Sequence, residues 1–138
     1  LSKPEPMRVA GLGCQRGCSA DALLSLISLS LQRHDLTIAD LSALASIDLK
    51  RHEPGILALA QQLGLPLRFF SAGQLAGYES QLSQSSRIAF DHTGCYGVAE
   101  SAALALASQK GPAALLITRQ QSTLATFALA ISLSQEHP

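Results

Sequence analysis

Three glycines and an arginine crowd into the stretch "GLGCQRGCS", Gly11 to Ser19. These residue types suit an anion. Gly11, Gly13 and Gly17 let a ligand come close to the backbone, and Arg16 can grip a carboxylate or phosphate through two parallel hydrogen bonds. Ser19 has the character of a helix N-cap. The loop would then open onto a helix start, where unpaired N–H groups and the helix dipole favour negative charge. The spacing G-x-G-x-x-x-G is neither a P-loop, because no GK[ST] follows, nor a clean dinucleotide fingerprint. A tight, glycine-rich turn without a ligand is the competing reading. Cys14 and Cys18 stand four apart, and Cys95 is the third thiol of the chain. Zinc sites want more ligands than this, so no metal is expected. Cys18 beside a helix start either has an activated thiol or packs with Cys14 as a small side chain.

Two later stretches carry further chemistry. Asp48, Lys50 and Glu53 surround "KRHEP". They offer a cation for an acidic ligand and a carboxylate able to act as base or acid, or else a solvated loop with a weak ion pair. The stretch "DHTGCYG", Asp91 to Gly97, holds His92, Thr93, Gly94, Cys95 and Tyr96. Sequence neighbours seldom form a Cys–His pair, so hydroxyl and N–H contacts from Thr93 and Gly94 are the better reading. Glu100 follows in the first turns of the next helix, where it either complements the dipole or faces a cleft.

Something must bring these loops together. Met7–Leu12 reads as a buried strand bounded by glycine. Ser19 starts a helix with Leu23, Leu24, Ile27 and Leu31 at helical spacing, ending near His34. "TIADLSA" is a cap and a short turn, and Leu44–Leu49 a second strand. Pro54 opens a helix that Gly64 stops. Pro66–Phe70 is a third strand, and Ser71 with Gln74 has capping-box spacing. Arg87–Phe90 is expected as a fourth strand. "VAESAALALAS" should be a helix whose small face lies close to the sheet. Ala113–Thr118 and the stretch from Leu124 to Ile131 read as an antiparallel hairpin linked through Gln120 and Gln121. Strands alternating with helices predict a three-layer α/β/α fold with a mostly parallel sheet and a C-terminal antiparallel hairpin. Strand–helix loops then share one edge, where ligands bind in such folds.

Composition narrows the field. Charged residues are 14% and hydrophobic ones 47%, so a buried core rather than disorder is expected. Ten basic and ten acidic residues cancel, and aromatics are 4%, which leaves neither a basic stripe nor a stacking surface for nucleic acid. No apolar run is long enough to span a membrane. "LSKPEP" lacks the apolar region of a signal peptide, and three thiols without a framework fit a reducing cytoplasm. One domain over 7–134 is expected, with residues 1–6 as a tail.

"GLGCQRGCSADAL", "ASIDLKRHEPGILALAQQLGLPLRFFSAGQL" and "TGCYGVAESAALALA" together resemble the cobalamin-biosynthesis CobE family, which matches the C-terminal domain of CbiG. The resemblance runs from about Met7 to Ile131. It implies a ligand-binding set of Gly11, Gly13, Cys14, Arg16, Gly17, Cys18, Ser19, Asp48, Lys50, Thr93, Gly94 and Arg119. Two positions depart from the pattern: Arg119 stands where relatives commonly carry lysine, and Cys18 where many carry threonine. The implied role is to bind a precorrin or hydrogenobyrinic-acid-like tetrapyrrole in the aerobic pathway and to hold it or pass it to other cobalamin enzymes. The implied alternative is hydrolysis of the cobalt-precorrin-5A lactone with release of acetaldehyde, with Glu53 or Glu100 as candidate catalytic carboxylates. CbiG proteins bring an additional N-terminal region to that reaction. No cofactor is implied. A nucleotide-phosphate module is the remaining alternative, and it lacks both GK[ST] and an acidic partner for ribose.

Overall fold

The computed structural model describes residues 6–84, 87–94 and 97–132. Cys95 and Tyr96 of the third loop, residues 1–5 of the expected tail and the side chain of His92 lie outside the described residues.

The chain opens with β1 (Arg8–Cys14), whose inner residues are all buried. α1 (Ala20–Gln32) follows because Ser19 caps it: its hydroxyl accepts from the Ala22 N–H, and Asp21 sits in the first turn. Leu23, Ile27 and Leu31 form its buried stripe. β2 (Ala43–Ile47) is buried throughout. Its end turns at once into a short 3-10 turn, Asp48–Lys50, so those two residues stand at the strand's tip. α2 (Pro54–Leu63) begins with proline and ends on Gly64 at φ 67°, a left-handed stop that glycine takes without a Cβ clash. β3 (Leu67–Phe70) leads to α3 (Ala72–Ala76), which carries the expected capping box between Ser71 and Gln74. α4 (Arg87–Thr93), α5 (Val98–Ala107), β4 (Ala113–Gln121) and β5 (Ala125–Ser132) complete the order.

The five strands lie in the order β3-β2-β1-β5-β4. β1, β2 and β3 pair in parallel, while β5 runs antiparallel to both β1 and β4. Four strands therefore point one way and β5 alone points back. α1 and α2 cover one face, packing Leu23, Ile27, Leu31, Ile56 and Leu59 on Leu12, Leu44, Phe127 and Leu129. α5 and Leu75 of α3 cover the other, against Val9, Ala43, Ala45 and Ala130. The expected three layers and the antiparallel hairpin are both present. α5 is buried along its whole length, and its alanines bring it hard against β1. A Cβ built on Gly11 would stand 1.8 Å from the Ala99 carbonyl oxygen.

Two expectations are corrected. Arg87–Phe90 is not a strand but the start of α4. Four residues are too few for periodicity to separate helix from strand. The helix places Arg87 one turn from Asp91, with Nε 3.2 Å from Oδ1, and sets the guanidinium over the Phe90 ring. Nor does the sheet need another parallel strand beside β1, since β5 already pairs along it. The hairpin turn also falls later than expected. β4 runs on through Gln120 and Gln121, and the reversal is made at Ser122, whose N–H donates to the Ala125 carbonyl at 2.9 Å.

Candidate functional site

Because β1 to β4 share a direction, the tips of all four lie along one sheet edge, and α1, α2, α3 and α5 all begin there. Adjacent strand tips are about 4.8 Å apart, so residues just beyond β1 and β2 are forced together. Gly17 adopts φ 83°, and its N–H donates to Glu53 Oε1 at 2.9 Å. The glycine loop and the Asp48–Glu53 loop are thus tied directly. A second tie is steric: a Cβ on Gly55 would meet the Cys18 carbonyl oxygen at 2.0 Å, so the first turn of α2 leans on the first loop. A third comes from the hairpin, whose Leu124 carbonyl accepts from the Gln15 N–H at 2.8 Å.

Arg16 stands exposed on this tied corner, while Lys50 and Asp48 are half-buried. Gly11 and Gly13 lie within β1 rather than in the loop, paired with Ala128 and Thr126 of β5. Their need for glycine is steric, toward Ala99 and toward the Thr126 hydroxyl. The Gly17 N–H does bind a carboxylate, but one supplied by the chain itself. Glu53 was expected only as a possible acid or base; its link to Gly17 carries no sequence signal.

The remaining residues sit across the edge on the α5 side. Gly94, at φ 76°, packs beside Ala72 at the start of α3, and half-buried Thr93 precedes it. Glu100 is 1% exposed. Its Oε1 accepts from the Ser83 N–H at 2.8 Å. Its Oε2 accepts from the Ser83 hydroxyl and from the Arg119 N–H, the latter at 2.7 Å. Arg119 Nη2 in turn donates to Gln84 Oε1 at 2.5 Å. Nothing in the sequence marks Ser83 and Gln84, since the polar run "QLSQSS" has no periodicity. The edge therefore holds two separate groups: Arg16 and Lys50 over β1 and β2, and Arg119 with Gln84 near β4. A groove of about 440 Å³ lies between α1 and the hairpin turn, lined by Leu26, Leu29, Arg33, Gln121 and Leu124 among others.

The two described thiols are not poised as nucleophiles. Burial pushes Cys14 from 9.0 up to about 12; the neighbouring Cys18 and Glu53 add to the rise, and Lys50 opposes it. Cys18 is raised too, again chiefly by burial. A thiol whose folded pKa is raised stabilises the fold below its ordinary value and loses that contribution as pH climbs toward the folded value. Cys14 is thus expected to favour the folded state below pH 9 and to weaken it from there toward pH 12. A pKa of about 12 also cuts the Cys14 thiolate fraction near pH 8 by about a thousandfold relative to a free thiol. Peptide-resolved mass spectrometry after iodoacetamide treatment at pH 8 should find Cys14 and Cys18 alkylated only on unfolding in urea. Labelling of native Cys14 at the rate of free cysteine would refute this. Among the described residues, no three His, Cys, Asp or Glu side chains come together as a metal set, and no helix is long and apolar enough to cross a membrane.

Residues 8–130 match the family model described as "Cobalamin synthesis G C-terminus". Protein CobE of Sinorhizobium sp is 40% identical over 122 residues, covering 88% of this chain and 78% of that protein. Cobalt-precorrin-5A hydrolase of Priestia megaterium is 30% identical over 131 residues, 95% of this chain but 33% of the hydrolase. The chain thus spans about a third of that enzyme's length. Among solved structures, CobE, a protein from the cobalamin (vitamin B12) biosynthetic pathway, superposes with a TM-score of 0.91 at 42% identity, covering 99% of this chain and 97% of that one. The chiG protein of Agrobacterium tumefaciens str. C58 gives 0.67 at 29% identity, covering 90% and 97%. With the model matched across nearly the whole chain and the CobE fold shared end to end, this chain belongs to the CobE and CbiG C-terminal family of cobalamin biosynthesis proteins.

Proposed function

We propose that the strand-tip edge receives a precorrin or hydrogenobyrinic-acid-like tetrapyrrole and that the protein holds this intermediate or hands it on within the cytoplasmic pathway. Such a ligand is a broad, partly apolar ring fringed with acetate and propionate groups. Its receptor needs several cations set apart, not one concentrated basic patch. The observation that carries the reading is the splitting of the edge into two groups: Arg16 and Lys50 on the corner where the Gly17 N–H donates to Glu53, and Arg119 with Gln84 beside Glu100. That arrangement would offer distant carboxylate receptors in a chain whose formal net charge is zero. Membership of a cobalamin-synthesis family supports a ligand of this class.

Titration of the purified protein with hydrogenobyrinic acid, read by absorbance and co-elution, tests the reading. Binding at micromolar concentration is expected, and the same ring with its carboxylates converted to amides should bind at least about tenfold more weakly, since charge-assisted hydrogen bonds are lost. Equal binding of acid and amide would refute carboxylate recognition, and no binding of either would refute the function.

A second reading follows from the hydrolase relative. Glu53, half-buried at the rim, would activate water against a lactone of cobalt-precorrin-5A; Glu100, the other candidate, is buried with both oxygens already bonded. Acetaldehyde release by wild type and loss of it in Glu53→Gln would favour this reading; no release by wild type would exclude it for this chain alone.

A further inference from the structure

Glu100 poses a physical question that neither helix-dipole complementation nor water activation answers. It is 1% exposed, and among the described residues no cation pairs with it. Taking a carboxylate out of water is costly unless hydrogen bonds satisfy it. Here the bonds come from Ser83 N–H, Ser83 O–H and Arg119 N–H. Two of these donors belong to Ser83, and the residue after it, Gln84, accepts from the Arg119 guanidinium. The contacts close a ring: Glu100 fixes the backbone of Arg119 directly, and fixes its side chain through Ser83 and Gln84. A guanidinium carries five N–H groups in a rigid fork. With one taken by Gln84 and none of the others bonded to a described residue, the fork has a set orientation and free donors.

We propose that Glu100 is a positioning residue, which sets the orientation of Arg119 as a carboxylate receptor through the Ser83–Gln84 segment. The inference rests on the tetrapyrrole reading for its ligand but not for its geometry. Glutamine is the sharp substitution. Its amide has one oxygen, whereas Glu100 faces backbone N–H groups with both. If the NH2 replaces Oε1 it meets the Ser83 N–H; if it replaces Oε2 it meets the Arg119 N–H. Either placement sets donor against donor.

Two measurements separate the proposal from the functional reading. In ligand-free protein, Glu100→Gln should speed amide hydrogen exchange at Ser83 or Arg119 by about tenfold or more, with the sheet amides of β5 unchanged. In the titration, Glu100→Gln and Gln84→Ala should each weaken hydrogenobyrinic acid binding by about tenfold, and neither should weaken it further in an Arg119→Ala background. Exposed Gln84 keeps the test available if Glu100→Gln does not fold. Unchanged exchange, or the same weakening with and without Arg119, would overturn the positioning role. Wild-type protein that binds no tetrapyrrole would sink the functional reading, and the exchange measurement would still decide whether Glu100 fixes Ser83 and Arg119.

Discussion

Gly11→Ala should cost this fold at least about 4 kcal/mol, against a total stability on the order of 5–15 kcal/mol for a domain. The new Cβ would lie 1.8 Å from the Ala99 carbonyl oxygen, 2.8 Å from its carbon and 2.9 Å from the Ala103 Cβ. The first two neighbours are backbone, so no rotamer change relieves the contact. α5 would have to retreat by more than an ångström, and it is buried on every side. That retreat would open the packing of Ala102, Ala103 and Leu104 on Val9, Ala43 and Ala130. Gly17→Ala is the contrasting substitution in the same motif. A Cβ there meets nothing within 4 Å, and the penalty is confined to φ 83°, about 1–2 kcal/mol. Urea unfolding monitored by circular dichroism should therefore separate the two glycines by at least about 2 kcal/mol. Ala103→Gly should fail to rescue Gly11→Ala, because the tightest contact is with the main chain. A loss under about 1 kcal/mol for Gly11→Ala would mean that α5 does not sit this close to β1.

This pair shows how far the sequence could be read. The caps that start α1 and α3, the stop at Gly64 and the hairpin at the end were legible. Each depends on residues within four positions of one another. The alanines of α5 also announced a close approach to the sheet. What stayed hidden depends on partners far along the chain. Gly11 looked like part of a ligand loop because only the fold puts Ala99 against it. Gly17 had a free N–H until Glu53, 36 residues on, accepted from it. Glu100 invited a dipole or catalytic reading because Ser83 and Arg119, which consume its oxygens, give no local sign of doing so. Arg87–Phe90 reads as a strand for a different reason. A run of four residues has no period to measure, and the helix places Arg87 against Asp91 one turn on, a contact that four residues read alone do not announce.

The largest functional effect is expected from removing the cations together. Arg16→Ala, Lys50→Ala and Arg119→Ala should each weaken hydrogenobyrinic acid binding by about tenfold, the scale of one charge-assisted contact. The triple variant should lose more than about a hundredfold, with about a thousandfold as the additive limit. Independence is expected between Arg119 and the other two, because β5 separates β4 from β1 and the two groups have different anchors. Arg16 and Lys50 share the corner tied by Gly17 and Glu53, so their double variant should fall short of additivity. Stability should barely change for Arg16→Ala, whose side chain is exposed. Arg119→Ala leaves the N–H that bonds Glu100 in place, so the fold should tolerate it as well. Salt supplies an independent check. Raising ionic strength from 0.05 to 0.5 M should weaken wild-type binding and shrink the gap to the triple variant, since exposed charges are screened over about 10 Å at 0.1 M. A triple variant that still binds the acid within about threefold of wild type would place the tetrapyrrole's carboxylates elsewhere, and the groove beside α1, with Arg33 in its wall, would be the next surface to test.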